Sequence, residues 1–332
     1  MKAIDFVILW VDDSDEKWQK KKAEYSNGDY NTQAVRFRDW GFLPYWFRAV
    51  EKYAPWVRKI HFVTEGHVPK WLDTENPRLH IVKHSDFMPG DTLPTFNSSA
   101  IEIYINRIPG LAEHFVFFND DMFLNNEVEP CDFFVHGLPR DMLALQPVVA
   151  NPDNPTMTHI FTNNSLCLSR HFSKRKNMKA QSRAYFKIGY PIKNFAYNLI
   201  EAAYPRFTGF YTQHGASPFL KSAIQEVWEE EREALDRTGH NRFRSDTDVN
   251  QYLFREWQKL TGRFVPANIE RDFVYTETGR DDRRIVQYII SGSKKIICIN
   301  DSGKGDFENS KKTIIKAFQK SLPTPSSFEK AE

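Results

Sequence analysis

Residues 4–15 read IDFVILWVDDSD, an apolar run of β character that ends abruptly in carboxylates. Because the run shows little alternation between apolar and polar residues, it predicts a strand covered on both faces, as in the centre of an α/β sheet. In open α/β sheets the ligand crevice lies beyond the carboxyl ends of such strands. We therefore expect Asp12 and Asp13 to lie at the edge of a binding site. At least one of Asp12, Asp13 and Asp15 is expected to cap the helix that begins near Asp15.

The same pattern occurs twice more. Phe115 to Phe118 is followed by Asn119-Asp120-Asp121, and Ile296 to Ile299 is followed by Asn300-Asp301. Acidic and amide side chains brought to one edge from three distant segments can hold a metal ion, bind nucleotide phosphates through it, or move a proton. The pattern indicates an enzyme.

The bulk composition excludes several classes of protein. The 332 residues carry a formal net charge of only +2, which argues against a nucleic-acid partner. The three cysteines are far apart, which excludes a disulfide scaffold or a cysteine-rich zinc site and favours a reducing compartment. No apolar stretch reaches the roughly 20 residues of a transmembrane helix. We expect a cytoplasmic enzyme without a membrane span, with peripheral association at the inner face of a bacterial membrane left open.

Strand and helix patterns alternate through the first 120 residues. Trp40–Tyr53 and Asn97–Ile108 have helical periodicity, and Lys59–Thr64 and Leu79–Val82 have strand character. This alternation predicts an α/β fold with a Rossmann-like (GT-A-like), mostly parallel sheet and helices on both faces.

The whole chain, residues 1–332, is predicted to form a single domain. Within it, residues 125–211 are expected to form an inserted, mainly helical subregion. Within that subregion, Lys174–Arg183 contains five basic residues, which suit either a solvated helix face or a patch for an anionic acceptor or lipid head groups. Further expectations are helices at Phe219–Leu235, Asp246–Gln258 and Ser310–Ser321, and a frayed tail at Pro323–Glu332.

Four blocks, in order, resemble the Stealth family of sugar-1-phosphate transferases. They are IDFVILWVDDSD (4–15), the segment 35–124 with LPTFNSSAIE and FFNDDMF, the segment 213–254 with QHGASPF and FRSDTDVNQYLF, and KKIICINDS (294–302). The blocks cover well over half of the chain. Residues 125–211 match less clearly, so the resemblance implies an acceptor-side subregion there without defining its specificity.

The resemblance implies a UDP-sugar donor, most often UDP-N-acetylglucosamine, and an acceptor oligosaccharide or polysaccharide. An acceptor hydroxyl attacks the phosphorus that bears the sugar, UMP leaves, and a phosphodiester forms, as in capsular or exopolysaccharide synthesis. Such a reaction needs a cation and Arg or Lys to neutralise the diphosphate, and a base for the acceptor proton.

Each of these needs has candidate residues. Asp120 and Asp121 follow a buried strand and suit Mg²⁺ or Mn²⁺, although an Asn-Asp turn explains the same residues. His214 in QHGASPF is the preferred general base, because imidazole titrates near neutrality. Arg244 is expected to hold a phosphate oxygen, and Asp248 to orient Arg244 or His214. A salt bridge at a helix start, with Asp246 as the cap, is the alternative for that pair.

The remaining candidates are weaker. Asn300 and Asp301 share the logic of the Asp120 pair, with Asp301 placed among the catalytic residues and Asn300 among the substrate contacts. Asp12 and Asp13 are assigned to the nucleotide or ribose. Other expected substrate contacts, each with a surface or capping alternative, are Arg36, Arg38, Asn97 and Ser98.

Two other functions fit the same features. A GT-A-like glycosyltransferase would use the same donor and acidic site, but attack at the anomeric carbon would release UDP instead of UMP. A non-catalytic nucleotide-sugar-binding module would bind the donor without turnover.

Overall fold

The computed structural model describes residues 2–26 and 38–331, so the predicted substrate contact Arg36 lies outside the described residues. The strands are β1 (Ile4–Leu9), β2 (Ile60–Thr64), β3 (Leu79–Lys83), β4 (His114–Phe118), β5 (Met122–Leu124), β6 (Phe134–Val135), β7 (Leu138–Asp141), β8 (Ser217–Leu220), β9 (Val265–Pro266), β10 (Phe273–Glu277) and β11 (Ile296–Asn300). The helices are α1 (Glu16–Tyr25), α2 (Leu43–Tyr53), α3 (Ser98–Ile103), α4 (Pro130–Phe133), α5 (Pro155–His171), α6 (Lys174–Ala180), α7 (Ser182–Tyr185), α8 (Ile192–Ala202), α9 (Lys221–Glu230), α10 (Arg232–His240), α11 (Gln251–Leu260), α12 (Asp282–Ser291) and α13 (Phe307–Ser321).

The central sheet has five strands in the order β3-β2-β1-β4-β8. The first four are parallel, and Phe6 of β1 lies opposite Val116 of β4. The fifth strand, β8, runs antiparallel to β4, with Ser217 opposite Phe117. This confirms the predicted Rossmann-like, mostly parallel sheet.

Both faces of this sheet are covered, as the apolar character of its strands predicts. Along β1, Phe6 and Ile8 point into one hydrophobic cluster that includes side chains of α2 and α13. The alternate residues Val7 and Leu9 point into a second cluster with side chains of α9 and α11. Because successive strand residues face opposite sides, a strand buried in both clusters must be apolar throughout.

The third acidic motif does not belong to the central sheet, contrary to the expectation. β11 lies instead in a separate three-stranded sheet of order β10-β11-β5. Only the short turn 119–121 separates β4 of the central sheet from β5 of this small sheet, so the two sheets are adjacent. The backbone N–H of Ile299 donates to the carbonyl of Asp121 across 2.8 Å, so the two acidic loops lie side by side.

Residues 125–211 are mainly helical, as predicted, with α4 to α8 and the short strands β6 and β7. β7 pairs with β9 to complete a third small sheet. In α5, the Asn164 side chain donates to Asn250 Oδ1 across 2.9 Å, which fastens the subregion to the start of α11. None of the described helices combines the length and the apolar character that crossing a bilayer requires.

Several element boundaries differ from the expectations. Phe219 and Leu220 belong to β8 and not to a helix, and α11 begins at Gln251, where Asn250 and not Asp246 is the cap. The predicted tail is not frayed. Phe328 is fully buried, and Arg48 donates from Nε and Nη2 to the Glu329 carboxylate at 2.8 and 2.6 Å.

Candidate active site

The direction of β8 brings distant residues to one edge of the sheet. β4 ends at this edge and leads into Asp120 and Asp121, as parallel strands do at a crevice of this kind. Because β8 is antiparallel to β4, it begins at the same edge, and His214 lies just before it. His214 and Asp121 therefore meet at the carboxyl end of β4, where the sequence predicts a site.

The imidazole of His214 is held on both sides. Its Nε2 lies 3.0 Å from Asp121 Oδ2, and its Nδ1 lies 2.8 Å from the Tyr252 hydroxyl. The thiol of Cys298, on β11, donates to the same Asp121 oxygen at 3.3 Å. One donor atom each of Asp121, His214 and Cys298 lie within 4.8 Å of one another. The three side chains form a compact polar cluster at the sheet edge.

The charges in this cluster shift one another's protonation. Desolvation by itself raises the pKa of Asp121, but the charge of His214 and the hydrogen bonds from His214 and Cys298 outweigh it, so this pKa is lowered. Burial by itself lowers the pKa of His214, but Asp121 outweighs it and this pKa is raised. Burial, followed by the charge of Asp121, raises the pKa of Cys298 well above its ordinary value. Each member of the His214–Asp121 pair therefore stabilises the charged form of the other, and the Cys298 thiol donates to the shared carboxylate oxygen.

Asp120 and Asp121 offer oxygen atoms to a cation. Asp121 Oδ1 is buried and, within the described part of the chain, has no hydrogen-bond partner. Asp120 is exposed at the rim, yet desolvation by the surrounding protein raises its pKa to about 7, and the charges of Asp121 and Asp39 add to this effect. A buried oxygen without a donor beside a second, crowded carboxylate fits a hard divalent cation such as Mg²⁺ or Mn²⁺. The pair Asp120 and Asp121 could hold one.

A buried carboxyl group lies beside Arg244. The guanidinium Nη2 of Arg244 donates to Ser98 Oγ across 2.7 Å. Glu102 on α3 is 4% exposed, its Oε2 accepts the backbone N–H of Gln251 at 3.3 Å, and burial raises its pKa to about 7 although Arg244 opposes this. The charges of both Arg244 and His214 act to lower the pKa of Glu102, so Glu102 lies near enough to both predicted site residues to feel them.

Asp248 and Asn97 fasten the loop that carries Arg244. Asp248 is fully buried, and its Oδ2 accepts from Asn97 Nδ2 at 2.8 Å and from the Ser245 backbone at 2.9 Å. Its Oδ1 accepts from Asn241 at 2.7 Å. Asn97 Oδ1 caps α3 by accepting the Ser99 N–H. These bonds occupy both side chains and hold the loop of Arg244 in place.

The predicted substrate contact Arg38 and the predicted catalytic residue Asp301 bond to each other. Arg38 Nε lies 3.1 Å from Asp301 Oδ2, and the Trp40 indole N–H donates to the same oxygen at 3.1 Å. The Arg38 guanidinium also stacks 4.4 Å from the centre of the Phe307 ring. Asn300 ends β11 directly beside this group, with its Nδ2 3.4 Å from the carbonyl of Asp301. The group lies two residues along β11 from Ile299, whose backbone contacts Asp121.

The carboxylates of Asp12, Asp13 and Asp15, after β1, each accept a backbone N–H group. Asp12 Oδ1 accepts from the backbone N–H and hydroxyl of Ser14, and the Asp12 N–H donates to His67 Nε2 at 2.9 Å. Asp15 caps α1 by accepting the Trp18 N–H, which confirms that one acid serves as a helix cap. Asp13 Oδ1 accepts the Asp39 N–H at 3.4 Å, and desolvation raises the pKa of Asp13, with the charges of Asp39 and Asp12 adding to the shift.

Sequence reasoning missed four members of the site. Tyr252, Glu102 and Cys298 lie in the quoted motifs, but each looks like a core residue of its helix or strand. Asp39 follows Arg38 and carries no signal of its own. Of the four, only Cys298 could have been found from the sequence. It lies two residues before Asn300, and therefore on the same face of the strand as a predicted site residue.

An α/β fold with a His–Asp pair, paired carboxylates and two arginines near its strand ends is typical of an enzyme site. Comparison with known proteins narrows this class. Residues 2–30 match Stealth protein CR1, conserved region 1, and residues 36–141 match Stealth protein CR2, conserved region 2.

Full-length relatives agree with the family match. The chain is 41% identical over 336 residues to the capsular polysaccharide phosphotransferase WcwK of Streptococcus pneumoniae, covering 99% of both chains. It is 42% identical to the exopolysaccharide phosphotransferase cps2G of Lactiplantibacillus plantarum, covering 98% of this chain and 96% of the relative. It is 39% identical to the receptor polysaccharide phosphotransferase WefC of Streptococcus gordonii, covering 98% of both. The chain belongs to the Stealth family and is an enzyme of the transferase class.

Proposed function

We propose that the protein transfers a hexose 1-phosphate, with N-acetylglucosamine 1-phosphate as the first candidate, from a UDP-sugar to a hydroxyl group of an acceptor glycan. The oxygen of the acceptor bonds to the phosphorus that bears the sugar, the bond from that phosphorus to the bridging oxygen breaks, and UMP leaves. The product is a phosphodiester in a capsular or exopolysaccharide. The observation that carries the proposal is the contact between His214 and Asp121 at the strand ends, in a chain whose full-length relatives are named phosphotransferases.

His214 is the proposed acceptor of the hydroxyl proton. Both ring nitrogens have partners in the described structure, Nε2 at Asp121 and Nδ1 at Tyr252. The substrate hydroxyl must therefore replace one of these partners before His214 can take its proton. Tyr252 is the partner that a hydroxyl can replace without loss of charge compensation, since the Tyr252 group is itself a neutral hydroxyl. Asp121 would then hold the imidazole in place and stabilise its positive charge once the proton has moved.

The diphosphate of the donor needs positive charge around it. Arg244 and Arg38 are the proposed contacts from the described chain, with Ser98 and Asn300 beside them, and Asp301 and Asp248 hold the two arginines or their loops. A divalent cation, Mg²⁺ or Mn²⁺, held by Asp120 and Asp121 would neutralise charge that develops on the phosphate oxygens. Asp12 and Asp13, after β1, are the proposed neighbours of the nucleoside.

The acceptor is proposed to approach from the side of residues 125–211. In this subregion Phe161 on α5 stacks against Tyr252, with ring centres 6.0 Å apart, and Asn164 bonds to Asn250. The subregion therefore reaches the residue that a substrate hydroxyl is proposed to replace. The cytoplasm remains the proposed location, because nucleotide sugars are made there.

The deciding experiment identifies the nucleotide that leaves. The full chain is incubated with UDP-N-acetylglucosamine, Mg²⁺ and candidate acceptor oligosaccharides, and the products are followed by ³¹P NMR. A phosphodiester resonance together with UMP supports hexose 1-phosphate transfer. Release of UDP without a diester would establish the glycosyltransferase alternative and overturn the proposal.

Two variants separate turnover from binding. His214→Gln should slow diester formation by about 100-fold or more while retaining donor binding, measured by isothermal titration calorimetry. His240→Gln, at an exposed histidine paired with Asp91, is the matched control and should keep full activity. Donor binding without any turnover in the unmodified protein, across all acceptors that the related polysaccharides suggest, would favour a binding module.

A further inference from the structure

Helix α8 is inverted relative to an ordinary surface helix. Its buried positions are polar, with Asn194, Asn198 and Glu201 at most 1% exposed. Apart from Lys193, its exposed positions are apolar, and Ile192 and Leu199 are 89% and 56% exposed. Surface helices of soluble proteins normally have the opposite arrangement, an apolar face toward the core and a polar face toward water.

The rotation of α8 is fixed by its polar face. Asn198 accepts the backbone N–H of Leu145 at 2.7 Å and donates to the carbonyls of Leu143 and Tyr185. Glu201 forms a buried ion pair with Lys174, whose Nζ lies 2.8 Å from Oε2. Turning the helix to bury its apolar side would leave a buried lysine and several backbone groups without partners, which is strongly unfavourable. The apolar side is therefore held outward.

The exposed apolar side chains form one continuous region of sequence, here named the α8 face. Six of the eleven exposed large apolar or tyrosine side chains of the described residues lie in this short segment, and they are Ile188, Ile192, Phe195, Leu199, Ile200 and Tyr204. Scattered exposed apolar residues are normal on a soluble protein, but a concentration of this kind marks an interaction surface.

The charge around the α8 face selects its partner. Residues 172–211 contain eight lysines and arginines and one acid, Glu201, which is buried against Lys174. Because the whole chain has a formal net charge of only +2, the rest of it is net negative and the positive charge is concentrated here. Exposed basic residues on the helices that contact α8 include Arg175, Lys179 and Arg183. Lys187 precedes α8, and Lys193 lies in its first turn.

We infer that the α8 face docks onto an anionic lipid bilayer. A helix with an outward apolar side and flanking lysines lies in the plane of the membrane interface, with its apolar side chains among the upper acyl chains and the lysines at the lipid phosphates. Tyr204, half exposed at the end of the segment, suits the same interface because its ring is apolar and its hydroxyl is polar. A glycan or a protein partner of unknown charge does not require this combination.

Docking there would place the candidate site close to the membrane. Asn198 holds the backbone of Leu143 and Leu145, and the intervening Ala144 accepts the backbone N–H of Tyr211 at 2.9 Å. Tyr211 lies three residues before His214. The backbone of residues 143–145 thus links α8 to the segment that leads into His214, independently of which reaction the site performs.

The test is sedimentation of the full chain with vesicles of phosphatidylcholine alone or of phosphatidylcholine and phosphatidylglycerol. We expect binding to the anionic vesicles to be roughly tenfold stronger and to weaken in high salt. The combined variant Ile192→Ser, Leu199→Ser and Ile200→Ser should lower the partition coefficient by about tenfold or more. Val149→Ser with Leu166→Ser, at exposed apolar residues outside the α8 face, is the matched control and should bind normally.

A second variant guards against loss of folding. Lys187→Glu with Lys193→Glu changes only exposed charges and should weaken binding to the anionic vesicles, whereas Lys312→Glu with Lys316→Glu on α13 should not. Equal binding by the triple variant and the unmodified protein would overturn the inference. Failure of the unmodified protein to bind vesicles would also overturn it. In that case, a dimer that the triple variant dissociates would assign the α8 face to a second copy of the chain, and loss of acceptor binding in that variant would assign it to the acceptor.

Discussion

His214 Nε2 lies 3.0 Å from Asp121 Oδ2, although 93 residues separate the two in the chain. Each residue stabilises the charged form of the other, so the pKa of the histidine is raised and that of the aspartate is lowered. Tyr252 and Cys298 complete the surroundings of the pair through Nδ1 and the shared carboxylate oxygen. Most of the chemistry proposed for this site therefore depends on one contact.

Removing the carboxylate should lower the pKa of His214. In Asp121→Asn, the burial that opposes the charged imidazole remains, while the negative charge that offsets it is gone. The measurement is an NMR titration of the His214 ring protons in metal-free protein. Glu24→Gln, which removes an exposed negative charge on α1, is the control and should leave the titration unchanged. An unshifted His214 in Asp121→Asn would contradict the coupling.

Replacing the proposed base should reduce turnover without unfolding the protein. His214→Gln is expected to lower kcat by roughly 100- to 10,000-fold, the usual contribution of a positioned general base. His240→Gln should keep the normal rate. The measurement is the rate of UMP release at saturating donor, with circular dichroism to verify the fold. A decrease in both variants would indicate a general loss of structure instead of a lost base.

Glu102 should make the stability of the protein depend on pH. Burial raises its pKa from 4.5 to about 7, so the folded protein keeps a proton that the unfolded chain has lost. This contribution to stability is complete below about pH 4.5 and is lost as the pH rises through 7. Glu102→Gln should therefore gain thermal stability relative to the unmodified protein between pH 4.5 and 8. Scanning fluorimetry across this range is the measurement, and parallel curves for the two proteins would disprove the assignment.

A divalent cation should stabilise the folded protein. An ion that binds only the native state at 100 times its dissociation constant adds about 2.7 kcal/mol. We expect Mg²⁺ or Mn²⁺ to raise the Tm, EDTA to reverse the change, and Asp121→Asn to abolish it, whereas Glu24→Gln should preserve it. If Asp121→Asn responds to Mg²⁺ like the unmodified protein, the cation does not bind at Asp120 and Asp121.

The C-terminal segment should contribute substantially to stability. Phe328 is fully buried in the cluster that covers one face of the central sheet. Phe328→Ala should lower the free energy of unfolding by about 3–5 kcal/mol, as expected for a large aromatic removed from a core. Phe195→Ala, at an exposed phenylalanine of the α8 face, is the control and should cost little. Equilibrium denaturation in urea provides both values.

The parts of the fold that the sequence predicts best are those whose pattern is determined by local burial. β1, β2 and β4 are apolar throughout because both of their faces are covered, and this pattern alone predicts a central strand. β8 has only four residues, too few to show the alternation of a strand, and it adjoins a charged helical segment. The sequence pattern therefore predicts Phe219 as part of that helix. The prediction of a frayed tail is wrong for a related reason. Pro and Ser residues predict fraying, but the contact of Glu329 with the distant Arg48 holds the segment in place.

The candidate site was predictable only in part. Residues at the ends of apolar strands, such as Asp121, can be recognised in the sequence by the abrupt change from apolar to acidic side chains. Glu102 does not, because a buried carboxyl group on a short helix has the same local pattern as an exposed one. The pairing of β11 with β5 was also beyond sequence reasoning, since strand pairing depends on contacts far apart in the chain.

The reversal of β8 relative to β4 separates two tasks that the enzyme must perform. The chain leaves the sheet edge just after Asp121 and returns to the same edge at His214, so the two ends of the segment between them meet at the His214–Asp121 contact. A change in the length or sequence of that segment can therefore alter the surface it presents without moving either residue of the pair.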